Sequence, residues 1–252
     1  MRSLILCEGF DDILILGYYL YKTKKWKYNS KAKFSDKYSF PKLDRKRENI
    51  EIYERDNDML GIWAVGGKNS FDHAYRFVKT IHKDFPGEIQ KIFIMMDRDA
   101  ENICDTLIEI QKKLKESGWM IADLQNAEKN QVTYCVDDDI YFLEVIPVII
   151  PYSRNGALEN VLMDGIAETG EEERYIVKQA NQFVDGLMDS NQLEKYLTHD
   201  RLVVKSKLSA CISITNPDRS TALFDQLLMS WEWEKMGAVK RHFEPIARYL
   251  DE

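Results

Sequence analysis

The chain is poor in the residues that small stapled folds depend on. Its four cysteines, at 7, 104, 135 and 211, include no CxxC pair, and no histidine stands at a metal-finger offset from them. A disulfide scaffold and a zinc finger are thereby excluded, and a reducing, cytoplasmic setting is the expectation. Histidine is equally scarce: His73, His82, His199 and His242 are isolated, with neither HExxH spacing nor a Ser-His-Asp order. No GxxxxGK[ST] phosphate loop occurs, so the chain does not hydrolyse nucleotides in the usual way. No stretch approaches the roughly 18 apolar residues of a membrane span, and the opening apolar run is too short for a signal peptide, so no membrane partner is expected. With 12 Gly, 6 Pro and no repeat, fibrous and low-complexity classes are also out.

What is present is an ordinary globular composition, 44% hydrophobic and 31% charged over 252 residues. That length allows one large domain, or one with an appendage, and a core that needs no staple. The net charge of −7 would repel nucleic acid unless positive charge is concentrated somewhere. It is concentrated. Residues 22–47 hold eleven Lys or Arg against Asp36 and Asp44, a balance of +9 that leaves −16 on the remainder. Trp26, Tyr28, Phe34, Tyr38 and Phe40 are interleaved with these cations, a mixture suited to phosphate neutralisation and base stacking. The plainer reading, a solvated insert whose aromatics cover the neighbouring core, stands beside it.

Hydrophobic patterning predicts a buried strand at Ser3–Cys7, a turn at Glu8-Gly9, and a helix over Asp11–Tyr21 with carboxylates in its first turn. A hairpin follows at Ile50–Glu54 and Met59–Val65, ended by Gly66-Gly67-Lys68. Next come a helix with Phe71, Ala74, Tyr75, Val78 and Ile81 on one stripe, a wholly apolar strand at Lys91–Met96, and a helix from about Ala100 to Glu116. Strands at Gln131–Val136 and Ile140–Ile150 come next, with Pro147 and Pro151 suggesting that the second ends near a sheet edge. Beyond Gly156 the chain reads as helices. A continuously apolar strand between helices implies a mainly parallel sheet covered on both faces, hence an α/β fold. The expected organisation is an α/β domain over residues 1–165, with a basic aromatic insert at 22–47 after the first helix. A helical C-terminal region at 166–252 packs on it.

In such a sheet, ligands bind at the carboxyl ends of the parallel strands. Glu8 lies just past the first strand, and Asp97 and Asp99 lie just past the apolar one, so all three fall on one rim. If extended geometry continues, Asp97 and Asp99 share a face. Crowded carboxylates need a hard cation, and Mg²⁺ or Mn²⁺ suits an all-oxygen donor set.

Strand-Glu-Gly in LILCEGFDD, followed about 90 residues later by apolar strand-Asp-x-Asp in FIMMDRDAE, resembles the Toprim domain of topoisomerases, primases and OLD-family nucleases. The resemblance covers roughly residues 3 to 165. It implies a Toprim-like sheet, with Glu8 as metal ligand or general base, Gly9 permitting a close turn, and Asp97 and Asp99 as ligands. Asp12, four after Glu8, matches the second acidic residue of the OLD-like nuclease branch, although a helix-capping role explains it equally. GALENVL, with Glu159, looks like the segment whose Glu helps hold a second metal, which implies two ions. Lys205 or Lys207 in VVKSKLSA resembles the late catalytic lysine of those nucleases.

The implied activity is Mg²⁺- or Mn²⁺-dependent phosphodiester hydrolysis, on DNA ahead of RNA. Lys24, Lys25, Lys27, Lys31, Lys33, Arg45, Lys46, Arg47 and Lys68 would contact the phosphate backbone. Because OLD-family enzymes join Toprim to an ABC-type ATPase, and such pairs serve phage defence, the resemblance also implies an ATPase partner in trans; a homodimer is compatible with it. An RNA-maturation nuclease, a non-catalytic nucleic-acid-binding module and a protein-docking scaffold are the alternatives.

Overall fold

The computed structural model describes residues 1–40, 48–136, 138–190, 195–217 and 224–252. Eight strands form one sheet: β1 (Arg2–Cys7), β2 (Lys27–Tyr28), β3 (Asn49–Arg55), β4 (Asp58–Ala64), β5 (Lys91–Asp97), β6 (Met120–Ile121), β7 (Asn130–Val136) and β8 (Asp139–Ile150). Their spatial order is β2-β3-β4-β1-β5-β8-β7-β6. The four central strands, β4, β1, β5 and β8, are parallel, and an antiparallel pair extends each side. The expected α/β class is therefore the one observed.

Both faces of the parallel centre are buried, which is why β1 and β5 read as unbroken apolar runs. Ile5 and Cys7 point into a core shared with α1 (Phe10–Lys24), α4 (Leu158–Thr169) and α8 (Gly237–Asp251). Leu4 and Leu6 point to the other face, under α2 (Phe71–Asp84) and α3 (Ile103–Glu116). The remaining helices are α5 (Glu171–Asp189), α6 (Asp200–Thr215) and α7 (Phe224–Ser230). No described helix is long and apolar enough to cross a membrane.

Two expectations need correction. A boundary after residue 165 would cut α4, and Val177, Leu208 and Phe243 share one core cluster with Ile5 and Leu16. The C-terminal helices thus complete the sheet's own core. β8 is not at an edge, since it lies between β5 and β7. Pro147 is tolerated because β7 pairs only as far as Val145, and beyond it the 126–127 loop takes over through Ala127 N–H on the Pro147 carbonyl. Of the two readings of the insert's aromatics, the plainer is the one observed, since most of them are structural. Trp26 is fully buried under the Arg55 guanidinium, Phe34 is buried, and Tyr38 and Phe40 pack on Phe77. Of the five, Tyr28 is the one that stays largely exposed, at 54%.

What fastens the insert is a buried carboxylate. Glu88, with its side chain only 5% exposed, pairs with Arg2 and Lys37 at 2.8 Å each and accepts the Ser35 hydroxyl at 2.9 Å. Burial opposes its charge, but Lys37, Ser35 and Arg2 outweigh it and hold the carboxyl below its usual range. That stability is present above the ordinary carboxylate pKa and is lost as pH falls through the lower folded value. Glu88→Ala should cost about 1–2 kcal/mol, because Arg2 and Lys37 can still reach water. A urea midpoint lowered at unchanged m-value would register it.

Candidate metal centre

β1, β4 and β5 all end at one rim, and the connections turn there into the N-termini of α1, the short Lys68–Ser70 helix and the approach to α3. Gly66 and Gly67, at φ of 88° and 115°, bend the chain so that both amides donate to the Glu8 carbonyl, at 3.2 and 2.8 Å. Gly9 is different. Its φ of −140° is ordinary extended backbone, and a Cβ there would meet nothing closer than 3.9 Å, so the bend from β1 into α1 at Glu8-Gly9 does not require glycine. Its use is its amide, which donates to Asp12 Oδ2 at 2.8 Å.

Glu8 and Asp97, 89 positions apart, are in direct contact: the Asp97 amide donates to Glu8 Oε1 at 3.1 Å. Asp97 Oδ1 in turn accepts the Leu158 amide at 2.8 Å, which docks the first turn of α4 and brings Glu159 to the rim. Gly156 precedes this turn at φ of 144°; a Cβ would collide with the Asn160 carboxamide that caps the Ala157 amide. Backbone bonds in both directions between Asp99 and Gly156, at 2.7 and 2.8 Å, clamp the two loops together.

Glu8, Asp12 and Asp97 have no cation within ion-pair distance among the described residues, and all three resist ionisation. Burial is the main cause for each. Asp99 adds to it at Glu8, and Glu8 and Glu159 add to it at Asp12. The Asp12 carboxyl is pushed up to about 7. Asp97 is raised well above the carboxylate range by burial together with Asp12, Glu8 and Glu159. Such mutual repulsion is relieved by a divalent ion or by protonation. The four side chains fit a hard-cation site in chemistry. Among the described residues, however, no group of three or more acidic, His or Cys side chains is placed so that it could hold a metal ion as it stands.

Cations stand around this centre. Lys205 Nζ lies 2.8 Å from Asp11 and 3.0 Å from Glu159. Lys207, two positions on, points elsewhere and pairs with Asp185 at 2.6 Å, so it leaves the expected site. Lys68 sits 3.3 Å from Asp99 and 3.5 Å from Glu101; burial disfavours its charge, but these carboxylates outweigh it and raise its pKa. Asp99 does not share a face with Asp97. The strand ends at Asp97, and Asp99 adopts φ of 53° with a side chain 54% exposed. It borders the site, close enough to Glu8 to oppose its ionisation.

Sequence reasoning missed Arg201, whose charge favours an ionised Glu8. It is four residues before Lys205, on the α6 stripe that continues through Leu208 and Cys211 into the core, and that periodicity could have singled it out.

The described lysines of the insert lie elsewhere. Lys24 closes α1 far from the rim and pairs with Asp251, Lys25 caps that helix, and Lys27 pairs in β2 opposite Glu54. Lys31 and Lys33 flank Asn29 and Phe34, which bond to β3 and to Arg2 at the start of β1. A six-residue strand, about 20 Å long, separates that end from Glu8. These five lysines thus cannot share a short substrate segment with the carboxylates. Arg45, Lys46 and Arg47 lie outside the described residues. A cavity of about 620 Å³ lies between the insert and β3.

No protein-family model and no curated protein matches the chain. A solved structure of similar fold is that of the hypothetical protein PH0156 from Pyrococcus horikoshii OT3, 19% identical over 99% of this chain and 94% of that one, with a TM-score of 0.53. At that identity the likeness is one of fold, and the α/β architecture described above is shared across nearly the full length of both chains.

Proposed function

We propose that the chain is a metal-dependent nuclease that hydrolyses phosphodiester bonds of nucleic acid at the β1–β5 rim. The observation that carries this reading is the contact of Glu8 with Asp97, joined by Asp12 and Glu159, with no cation in ion-pair distance of the first three among the described residues. Uncompensated carboxylates at the carboxyl ends of parallel strands are costly to hold and find their simplest use in ligating Mg²⁺ or Mn²⁺. Glu8, Asp12, Asp97 and Glu159 would hold the ions, with Asp99 at the margin. Bound there, two such ions would lower the pKa of an attacking water and neutralise charge on the phosphate.

The chain's own groups then have distinct tasks. Asp97 positions α4 through the Leu158 amide, so that Glu159 stays at the centre. Gly9 orients Asp12. Lys68, Arg201 and Lys205 supply positive charge from two sides, suited to the phosphates flanking a scissile bond. This shifts the phosphate-binding role from the insert lysines to the rim.

The test is direct. Purified protein incubated with plasmid, linear DNA or structured RNA should cleave in Mg²⁺ or Mn²⁺ and stop in EDTA. Nucleic-acid affinity indifferent to EDTA, with no cleavage under either metal, would instead identify a binding module. A role beside an ATPase in phage defence belongs to the same reading, and co-purification of an ATPase from the native host would bear on it.

A further inference from the structure

Lys205 occupies an unusual position for a surface lysine. Its ammonium bridges two carboxylates from different parts of the fold, Asp11 in the first turn of α1 at 2.8 Å and Glu159 in the first turn of α4 at 3.0 Å. Glu159 is only 14% exposed and is electrostatically coupled to both Asp12 and Asp97. Among the described residues it is thus the one member of the carboxylate group that already carries a counter-ion, and that counter-ion is tethered to α6. Asp11 is exposed at 57% and offers the ammonium a second resting place away from the centre.

A divalent cation on Glu159 and an ammonium 3.0 Å from the same carboxylate repel one another, so each lowers the other's occupancy. Resting on the reading of the rim as a cation centre, we infer that Lys205 is a built-in competitor for the metal: its ammonium is shared between Glu159 and Asp11 when the site is empty and stays on Asp11 alone when an ion takes Glu159. The fold supports the exchange. Lys205 stands three residues before Leu208, where α6 enters the core, so its four-carbon stem is anchored while its head reaches both carboxylates. Lys207 cannot substitute, because it is paired with Asp185 on another side of the helix.

Competition lowers apparent affinity by the fraction of molecules whose site is free of the ammonium. For this pair, with side chains 33% and 14% exposed, that factor is about threefold to tenfold. The experiment is Mn²⁺ titration by isothermal calorimetry, without nucleic acid, on wild type, Lys205→Gln, Lys205→Met, Lys207→Gln and Glu8→Gln. Both Lys205 variants should bind Mn²⁺ about threefold to tenfold more tightly than wild type, while Lys207→Gln binds as wild type does. Unchanged or weaker binding by both Lys205 variants, with wild-type binding still dependent on Glu8, would overturn the competitor role and leave the cation centre standing. Wild type that binds no Mn²⁺, or binds it equally with Glu8→Gln, would overturn both.

Discussion

Replacing Glu8 or Asp97 should abolish metal-dependent cleavage while leaving the fold intact. Glu8→Ala and Asp97→Asn are each expected to lose at least about 10³-fold in turnover, as is usual when a ligand to a catalytic ion is removed. The two differ in their structural effect. Glu8 Oε1 accepts a single amide, from Asp97, and that amide can turn to water at the partly open rim. Asp97 also holds the Leu158 amide and with it the first turn of α4, so truncation to Ala would cost about 1 kcal/mol in stability besides activity. Asn keeps the acceptor oxygen and removes only the charge, which separates the two effects. Single-turnover cleavage in Mn²⁺, alongside thermal unfolding of each variant, measures both. Full cleavage by Glu8→Ala and Asp97→Asn would remove the nuclease assignment altogether.

The second large effect has the opposite sign on stability. Asp12 carries a carboxyl pushed up to about 7, with burial as the main cause and Glu8, Glu159 and Asp11 adding repulsion against the favourable Gly9 amide. A carboxyl whose folded pKa exceeds its unfolded one, about 4, holds its proton more tightly in the folded state. In metal-free protein this group therefore adds stability as pH falls from about 7 toward 4, and that gain is gone above 7. Asp12→Asn keeps the acceptor for Gly9 but never ionises. Without metal at pH 8 it should be more stable than wild type by about 1–3 kcal/mol, with the difference shrinking toward pH 4. Saturating Mn²⁺ should stabilise wild type and do little for the variant. Denaturant unfolding at pH 8, 6.5 and 5, with Mn²⁺ or EDTA, reads out all of this. A destabilised Asp12→Asn at pH 8 would mean that Asp12 is a helix cap and nothing more.

The parts of this arrangement that local pattern dictates were legible in the sequence. An apolar strand followed by Glu8 and another followed by Asp97 place both residues at carboxyl ends, and parallel strands with helical crossovers bring such ends together. What stayed hidden depends on contacts between distant segments. The insert is anchored at the opposite end of β1 by Glu88 reaching Arg2, Ser35 and Lys37, a meeting that no spacing announces. Composition marked the stretch as basic and aromatic but could not say that Trp26 and Phe34 face the core. Lys205 and Lys207 are two residues apart on a helix and so must face different ways. Choosing between them required knowing which side of α6 meets α4. The shared face expected of Asp97 and Asp99 was conditional on extended geometry continuing, and it does not: β5 ends at Asp97 and Asp99 turns to φ of 53°.

The reciprocal backbone bonds between Asp99 and Gly156 have a dynamic corollary. Loop amides normally exchange their protons with solvent quickly, yet these two are bonded as strand partners and should exchange as slowly as their neighbours in β5. The turn carrying Asp97 and the turn leading to Glu159 would then open together or not at all, giving the centre one stiff wall opposite the side chains of α1 and α6. An ion of the wrong radius must be accommodated by movement of that softer side.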